Sequence, residues 1–292
     1  MRIWLHRVLF ILWFILPWVC PHISYAQGIE KKIALVIGNT EYTKLPRLRN
    51  ASRDAFSVAR ALSKKGFTVF FAKDVTAIKL KEIIAFVSAR AENADQIIIY
   101  YAGHNEIHNG TTQLIPINTT GSSPNAHNQS LSIPELLDAF DIPFAEKAFI
   151  LDTCLQDPPD TYGSGAETLS LPKALGMETL LVFATSFGQA AYDGVGDHSI
   201  FTGALLDYMA EDKFHIQSAV QSARRDVIQA SHASQVPVSL STLTHPFILD
   251  AYASYSATAA SQNNLIQTYS SSGYAGKPLL DIISSGINPT GF

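Results

Sequence analysis

Apolar positions along this chain fall into two kinds of run. Ile33-Ala34-Leu35-Val36-Ile37, Ile97-Ile98-Ile99-Tyr100-Tyr101-Ala102 and Ala148-Phe149-Ile150-Leu151 are continuous, as in strands buried on both faces. Between them apolar residues recur at helical spacing. Ala55, Val58, Ala59 and Leu62 share one face of a predicted helix over Ser52–Lys65, and Ile83, Ile84 and Val87 share one face of another over Ala77–Ala91. Gly66 stands where the first helix needs its C-terminal cap, and Thr76 can cap the start of the second. Further strands are expected over Phe67–Ala72, Thr112–Ile117, Thr179–Thr185 and Phe247–Leu249. Ser132-Ile133-Pro134-Glu135 has capping-box spacing and opens a helix that runs to about Phe140. Ser199 caps a helix over Ile200–Ala210, and another follows over Ile216–Ser231. Strands alternating with helices of this length build an α/β domain, with a mainly parallel central sheet flanked by helices on both faces.

Two of the strand patterns end at reactive residues. The third strand, Gln96–Ala102, is expected to stop where Gly103 turns the chain into His104. The fourth, Lys147–Asp152, leads to Cys154. In parallel α/β sheets the carboxyl ends of the strands form the ligand crevice.

The first 26 residues stand apart from this pattern. Arg2 and Arg7 precede an apolar stretch from Val8 to Cys20, broken at Pro17, and Ser24-Tyr25-Ala26 supplies the small residues that a signal peptidase reads. This is the form of a secretory signal peptide (1–26), cleaved after Ala26, which implies an exported, periplasmic or secreted protein. The apolar stretch is short and broken for a membrane span, with an uncleaved anchor as the alternative, and no stable span is expected after cleavage. Cleavage leaves Cys154 as the one cysteine, so no intramolecular disulfide can form. Loss of Arg2 and Arg7 also takes the formal charge from −4 to −6. No basic stripe with interleaved aromatics points to nucleic acid. The histidines are scattered without zinc-ligand spacing, and no cofactor or metal is implied.

A lone cysteine has two readings: a small buried hydrophobe, or a nucleophile paired with a histidine elsewhere in the chain. His104 is likewise either an inert turn residue or a base at the sheet's edge. An imidazole next to the thiol favours the reactive thiolate, and backbone amides around His104 and Cys154 can serve a developing oxyanion. Asp152 shares a strand face with position 154. Asp54, early in the first helix, could approach the same crevice, because helix starts and strand ends lie on one side of such sheets. Each is a solvated carboxylate or part of a pocket for Arg or Lys. His198-Ser199 reads as the start of a helix. No Gly-x-Ser-x-Gly elbow or glycine fingerprint is present, which removes support for a serine triad or a nucleotide site. The Pro-, Gly-, Ser- and Thr-rich segment 157–172 reads as an exposed loop. Residues 251–292, with little periodicity, read as a loosely packed tail.

Tyr100-Tyr101-Ala102-Gly103-His104 resembles the histidine motif of bacterial caspase-like cysteine peptidases, relatives of metacaspases and paracaspases, and Ile150-Leu151-Asp152-Thr153-Cys154 resembles their cysteine motif. Ala34-Leu35-Val36-Ile37-Gly38-Asn39 with Tyr42 is similar to the family's first strand, and Leu48-Arg49-Asn50 with Asp54 to its first-helix start. Ala184-Thr185-Ser186, Gly188-Gln189, Asp193-Gly194, His198-Ser199 and Phe201-Thr202 are similar to its small-subunit region. The resemblance implies a three-layer caspase-like domain over 31–250, with a large-subunit-like part (31–156), the loop at the place of maturation cleavage, and a small-subunit-like part (173–250). It implies hydrolysis of protein or peptide substrates with Cys154 as nucleophile and His104 as base. The amides of Asn105 and Cys154 would be the oxyanion donors, and Asp152 and Asp54 the pocket for a basic residue before the cut.

The sequence departs from the family at Asn105, where Gly is usual. The expectation is that its side chain sits at the pocket rim, with φ > 0 if the position demands it. Leu155-Gln156-Asp157 also replaces the Arg that often follows the cysteine. Asn105 feeds a rival reading, a catalytically weak binding or scaffold module of the same fold.

Overall fold

The computed structural model describes residues 31–108, 110–119, 129–155, 175–186, 191–192, 194, 196–250, 266–270 and 273–278. The expected signal peptide and the 157–172 loop lie outside them. Each continuous apolar run is a strand of one sheet: β1 (Lys32–Gly38), β2 (Thr68–Lys73), β3 (Gln96–His108), β6 (Glu146–Leu155) and β7 (Thr179–Phe183). They stand in the order β2-β1-β3-β6-β7 and all pair in parallel. Helices α1 (Ala51–Lys64), α2 (Ala77–Ala91), α3 (Ile133–Ala139), α4 (Ile200–Met209) and α5 (Ile216–Ala230) cover the sheet.

Two separate cores explain why the strands read as unbroken apolar runs. Ala34, Val36, Ile98, Tyr100, Ala148 and Ile150 pack with α1, α4 and α5. The alternate residues Ile33, Leu35, Ile97, Ile99, Tyr101, Phe149 and Leu151 pack with α2 and α3. Each strand is therefore buried on both faces, and the architecture is a three-layer α/β fold. The helix starts follow their caps. Lys79 N donates to Thr76 Oγ1, and Ser132 and Glu135 form the full capping box. Gly66 adopts φ 84, the left-handed cap conformation open to glycine.

The structure departs from the sequence pattern in one place that matters for the site. β3 does not turn at Gly103. It runs on to His108, because β4 (Thr111–Leu114) folds back on it as an antiparallel hairpin from Asn105↔Leu114 to His108↔Thr111. β5 (Leu131–Ser132) then pairs with β4. The expected final strand is β10 (Ile248–Asp250), but it joins β8 (Lys213–His215) in a separate antiparallel pair. β9 (Val238–Ser241) closes one edge of the main sheet beside β7, antiparallel, with Ser239 and Ser241 facing solvent. Within the stretch that lacks periodicity, β11 (Ile266–Ser270) pairs in parallel with β2, and β12 (Gly273–Pro278) pairs antiparallel with β11. Among the described residues no helix is long and apolar enough to cross a membrane.

Candidate active site across two central strands

β3 and β6 are neighbours in register, pairing Ala102↔Asp152, Gly103↔Thr153, His104↔Cys154 and Asn105↔Leu155. The backbones of His104 and Cys154 thus lie side by side, at the roughly 4.8 Å spacing of adjacent strands. By alternation, positions 102, 104, 152 and 154 share the face covered by α1 and α4.

Long-range contacts fix the histidine. Its ring packs edge-on against Tyr42, with centroids 4.5 Å apart. Its Nε2 lies 2.8 Å from the carbonyl oxygen of Pro46. A carbonyl only accepts, so Nε2 carries the proton and the neutral ring keeps its lone pair on Nδ1. The main chain is held as well. The His104 amide donates to the Tyr42 hydroxyl at 2.8 Å, and that hydroxyl donates to the Ile115 carbonyl at 3.2 Å. On the other face the Tyr101 hydroxyl reaches the carbonyls of Ile115 (2.8 Å) and His104 (3.2 Å). These hydroxyls explain Gly103, which serves close approach rather than a turn. A Cβ there would lie 2.6 Å from the Tyr42 hydroxyl and 2.8 Å from that of Tyr101.

Asn105 is not where the sequence placed it. It sits inside β3, is absent from the positive-φ residues, and is buried. Alternation turns its side chain away from the face of His104, and its Nδ2 donates to Thr153 Oγ1 at 2.9 Å. It ties β3 to β6 from behind rather than occupying the pocket rim. The same alternation orients the amides. The His104 amide faces Tyr42, on the β4 side, so that of Asn105 faces β6. The Leu151 carbonyl is bonded on the β7 side by Ala184 N, so the main chain of Cys154 faces β3. Both expected oxyanion donors therefore face the ladder between the strands, and its last rung must open before they can serve a substrate.

Asp54 and Asp152 do come together. Both line a narrow pocket with Leu48, Ala51, Ala102, Gly103, Tyr192 and Ser199. The start of α4 holds both carboxylates. Asp152 Oδ2 accepts from Ser199 Oγ and Thr202 Oγ1, each at 2.6 Å. With its proton committed to Asp152, Thr202 Oγ1 accepts from the Tyr100 hydroxyl at 2.7 Å. Asp54 accepts from the Ser199 amide at 3.1 Å and from His198 Nδ1 at 2.6 Å. Burial raises the Asp54 pKa, opposed by the His198 and Ser199 bonds, while the bond to Asp54 raises that of His198.

Sequence reasoning read His198-Ser199 only as a helix start. Ser199 does cap α4 through Thr202 N, but the pair also organises the acidic pocket. Its appearance among the family-like motifs was the sole signal of that role. Glu106, two residues beyond His104 on β3, was likewise missed; burial pushes its carboxyl up to about 7. Among the described residues no group of His, Cys, Asp and Glu could hold a metal ion.

Comparison with known proteins agrees with this geometry at the level of fold and family. The crystal structure of Caspase-1 from Spodoptera frugiperda superposes with a TM-score of 0.58 at 17% identity, covering 74% of this chain and 88% of that one. The human mucosa-associated lymphoid tissue lymphoma translocation protein 1 is 25% identical over 189 residues, and so is its mouse homolog. These alignments cover 63% of this chain but only 22% of either relative. The caspase domain profile of the C14 peptidases matches residues 31–248, most of the chain and all of its central sheet as far as β9, and on that evidence the chain belongs to the caspase-domain family of cysteine peptidases.

Proposed function

We propose that this protein is a cysteine endopeptidase in which Cys154 and His104 form the catalytic dyad. The observation that carries the proposal is their pairing in register on adjacent parallel strands. In this reading His104 Nδ1 takes the thiol proton. The thiolate attacks the scissile carbonyl, and the imidazolium returns the proton to the leaving amine as the acyl-enzyme forms. Water, deprotonated by the same ring, then releases the acid and regenerates the thiol. The Pro46 carbonyl supports this role by holding the Nε2 proton, so that the lone pair needed for proton transfer stays on Nδ1. The oxyanion donors are the amides of Asn105 and Cys154, reached when the substrate strand spreads the last rung of the β3–β6 ladder.

The residue before the cut is Arg or Lys in this proposal, bound where Asp54 and Asp152 line one pocket. A panel of fluorogenic peptides that vary this residue tests the reading, with Cys154→Ala as the control. Cleavage after Arg and Lys, lost in Cys154→Ala and stripped of its preference in Asp152→Ala, is the expected result. A preference for Asp would overturn the pocket, and cleavage that survives Cys154→Ala would overturn the nucleophile. Export through residues 1–26 belongs to the same proposal. Sequencing the amino terminus of the protein recovered outside the cytoplasm should begin at Gln27.

A further inference from the structure

His198 is bonded to a carboxylate of the acidic pocket while remaining in contact with solvent. Its Nδ1 lies 2.6 Å from Asp54 Oδ1, and its side chain is 30% exposed against 1% for Asp54. We propose that His198 sets the charge of this pocket, so that its affinity for a guanidinium or ammonium side chain rises when the imidazolium gives up its proton. The inference rests on the proposed reading of the pocket as the subsite for a basic residue.

The surrounding charges leave Asp54 as the partner that matters. Arg53, from α1, is bonded to Asp197 at 3.1 Å, and these two neighbours of His198 offset one another. From β6, Asp152 is held by the hydroxyls of Ser199 and Thr202. From β3, the Tyr100 hydroxyl is bonded to Thr202 and stays neutral, because burial raises its pKa well above the usual value. With His198 protonated, the imidazolium offsets Asp54 and only Asp152 is left to attract a cation. When His198 is neutral, both carboxylates attract it. The proton that leaves is the one on Nε2, and Nδ1–H continues to donate to Asp54. The switch therefore changes charge without requiring movement. The bond to Asp54 also raises the His198 pKa, which moves the change upward from the ordinary histidine value.

The test uses the full chain carrying Cys154→Ala, so that binding is read without turnover. Benzamidine is titrated calorimetrically from pH 5.5 to 9, with neutral benzamide as the control ligand. Benzamidine affinity should rise with pH by about five- to tenfold, the size of one charge interaction across a partly screened pocket. His198→Gln, which keeps a donor near Asp54 without the charge, should bind tightly and independently of pH. Near the midpoint, binding to the His198 protein should also release a proton, read from the heat in two buffers of different ionisation enthalpy. That measurement needs no variant at His198. A flat profile with no proton release overturns the role of His198, as does the same rise in His198→Gln. If benzamidine binds no better than benzamide at any pH, the basic subsite itself fails, an outcome distinct from selective binding that ignores pH.

Discussion

Asn105 and Thr153 are hydrogen-bonded across β3 and β6, Nδ2 to Oγ1 at 2.9 Å, on the face of the sheet opposite His104. The bond sits one residue past His104 and one before Cys154, so it holds together the two strands that the proposed chemistry joins. Asn105→Ala and Thr153→Val should each destabilise the fold by about 1–3 kcal/mol, since each leaves a buried polar partner behind. The double variant should cost less than the sum of the two, which denaturant unfolding measures directly. Strict additivity would mean that the pair is not coupled.

The Tyr42 hydroxyl accepts from the His104 amide and donates to the Ile115 carbonyl. The carbonyl has a second donor in Tyr101. Tyr42→Phe keeps the ring against His104 and should lose about 1–3 kcal/mol of unfolding free energy, mainly from the buried amide it strands. An unchanged unfolding midpoint would show that the amide finds another partner.

Glu106 gives a pH signature of definite sign. Burial raises its carboxyl to about 7 in the folded chain, from an ordinary 4.5. The folded state therefore holds this proton more tightly than the unfolded state does. Its contribution to stability is intact below about pH 4.5 and is lost as the pH climbs through 7. Glu106→Gln should raise the unfolding midpoint at pH 8 and leave it unmoved near pH 4. Equal effects at both values would contradict the assignment to titration.

Much of the fold is legible along the chain because burial on both faces writes strands such as Ile97–Ala102 as unbroken apolar runs. Caps such as Thr76 and Ser132 mark the helices by local chemistry. What escapes is set by distant partners. The polar stretch Gly103-His104-Asn105-Glu106 carries no strand signal, and only the pairing with β4 and β6 makes it one. β8 is three residues long, and β11 borrows its regularity from β2. At the site, the placement of His104 and Cys154 just beyond the apolar runs of β3 and β6 follows from the pattern. The contacts of His104 with Tyr42 and Pro46, and of His198 with Asp54, do not. They join residues 58 to 144 positions apart, and no local motif encodes them. Asn105 was misplaced for a related reason: a strand in place of a turn reverses the face that its side chain takes.

The measurement that tests the central claim most directly is the alkylation rate of Cys154 by iodoacetamide between pH 5 and 9, with modification at position 154 quantified by mass spectrometry. If His104 activates the thiol, the rate profile of the wild type is displaced below the value of about 8.5 for a free cysteine. His104→Ala should return it to that range and slow the reaction at neutral pH by about tenfold or more. A wild-type profile that matches free cysteine and does not change in His104→Ala would contradict the dyad.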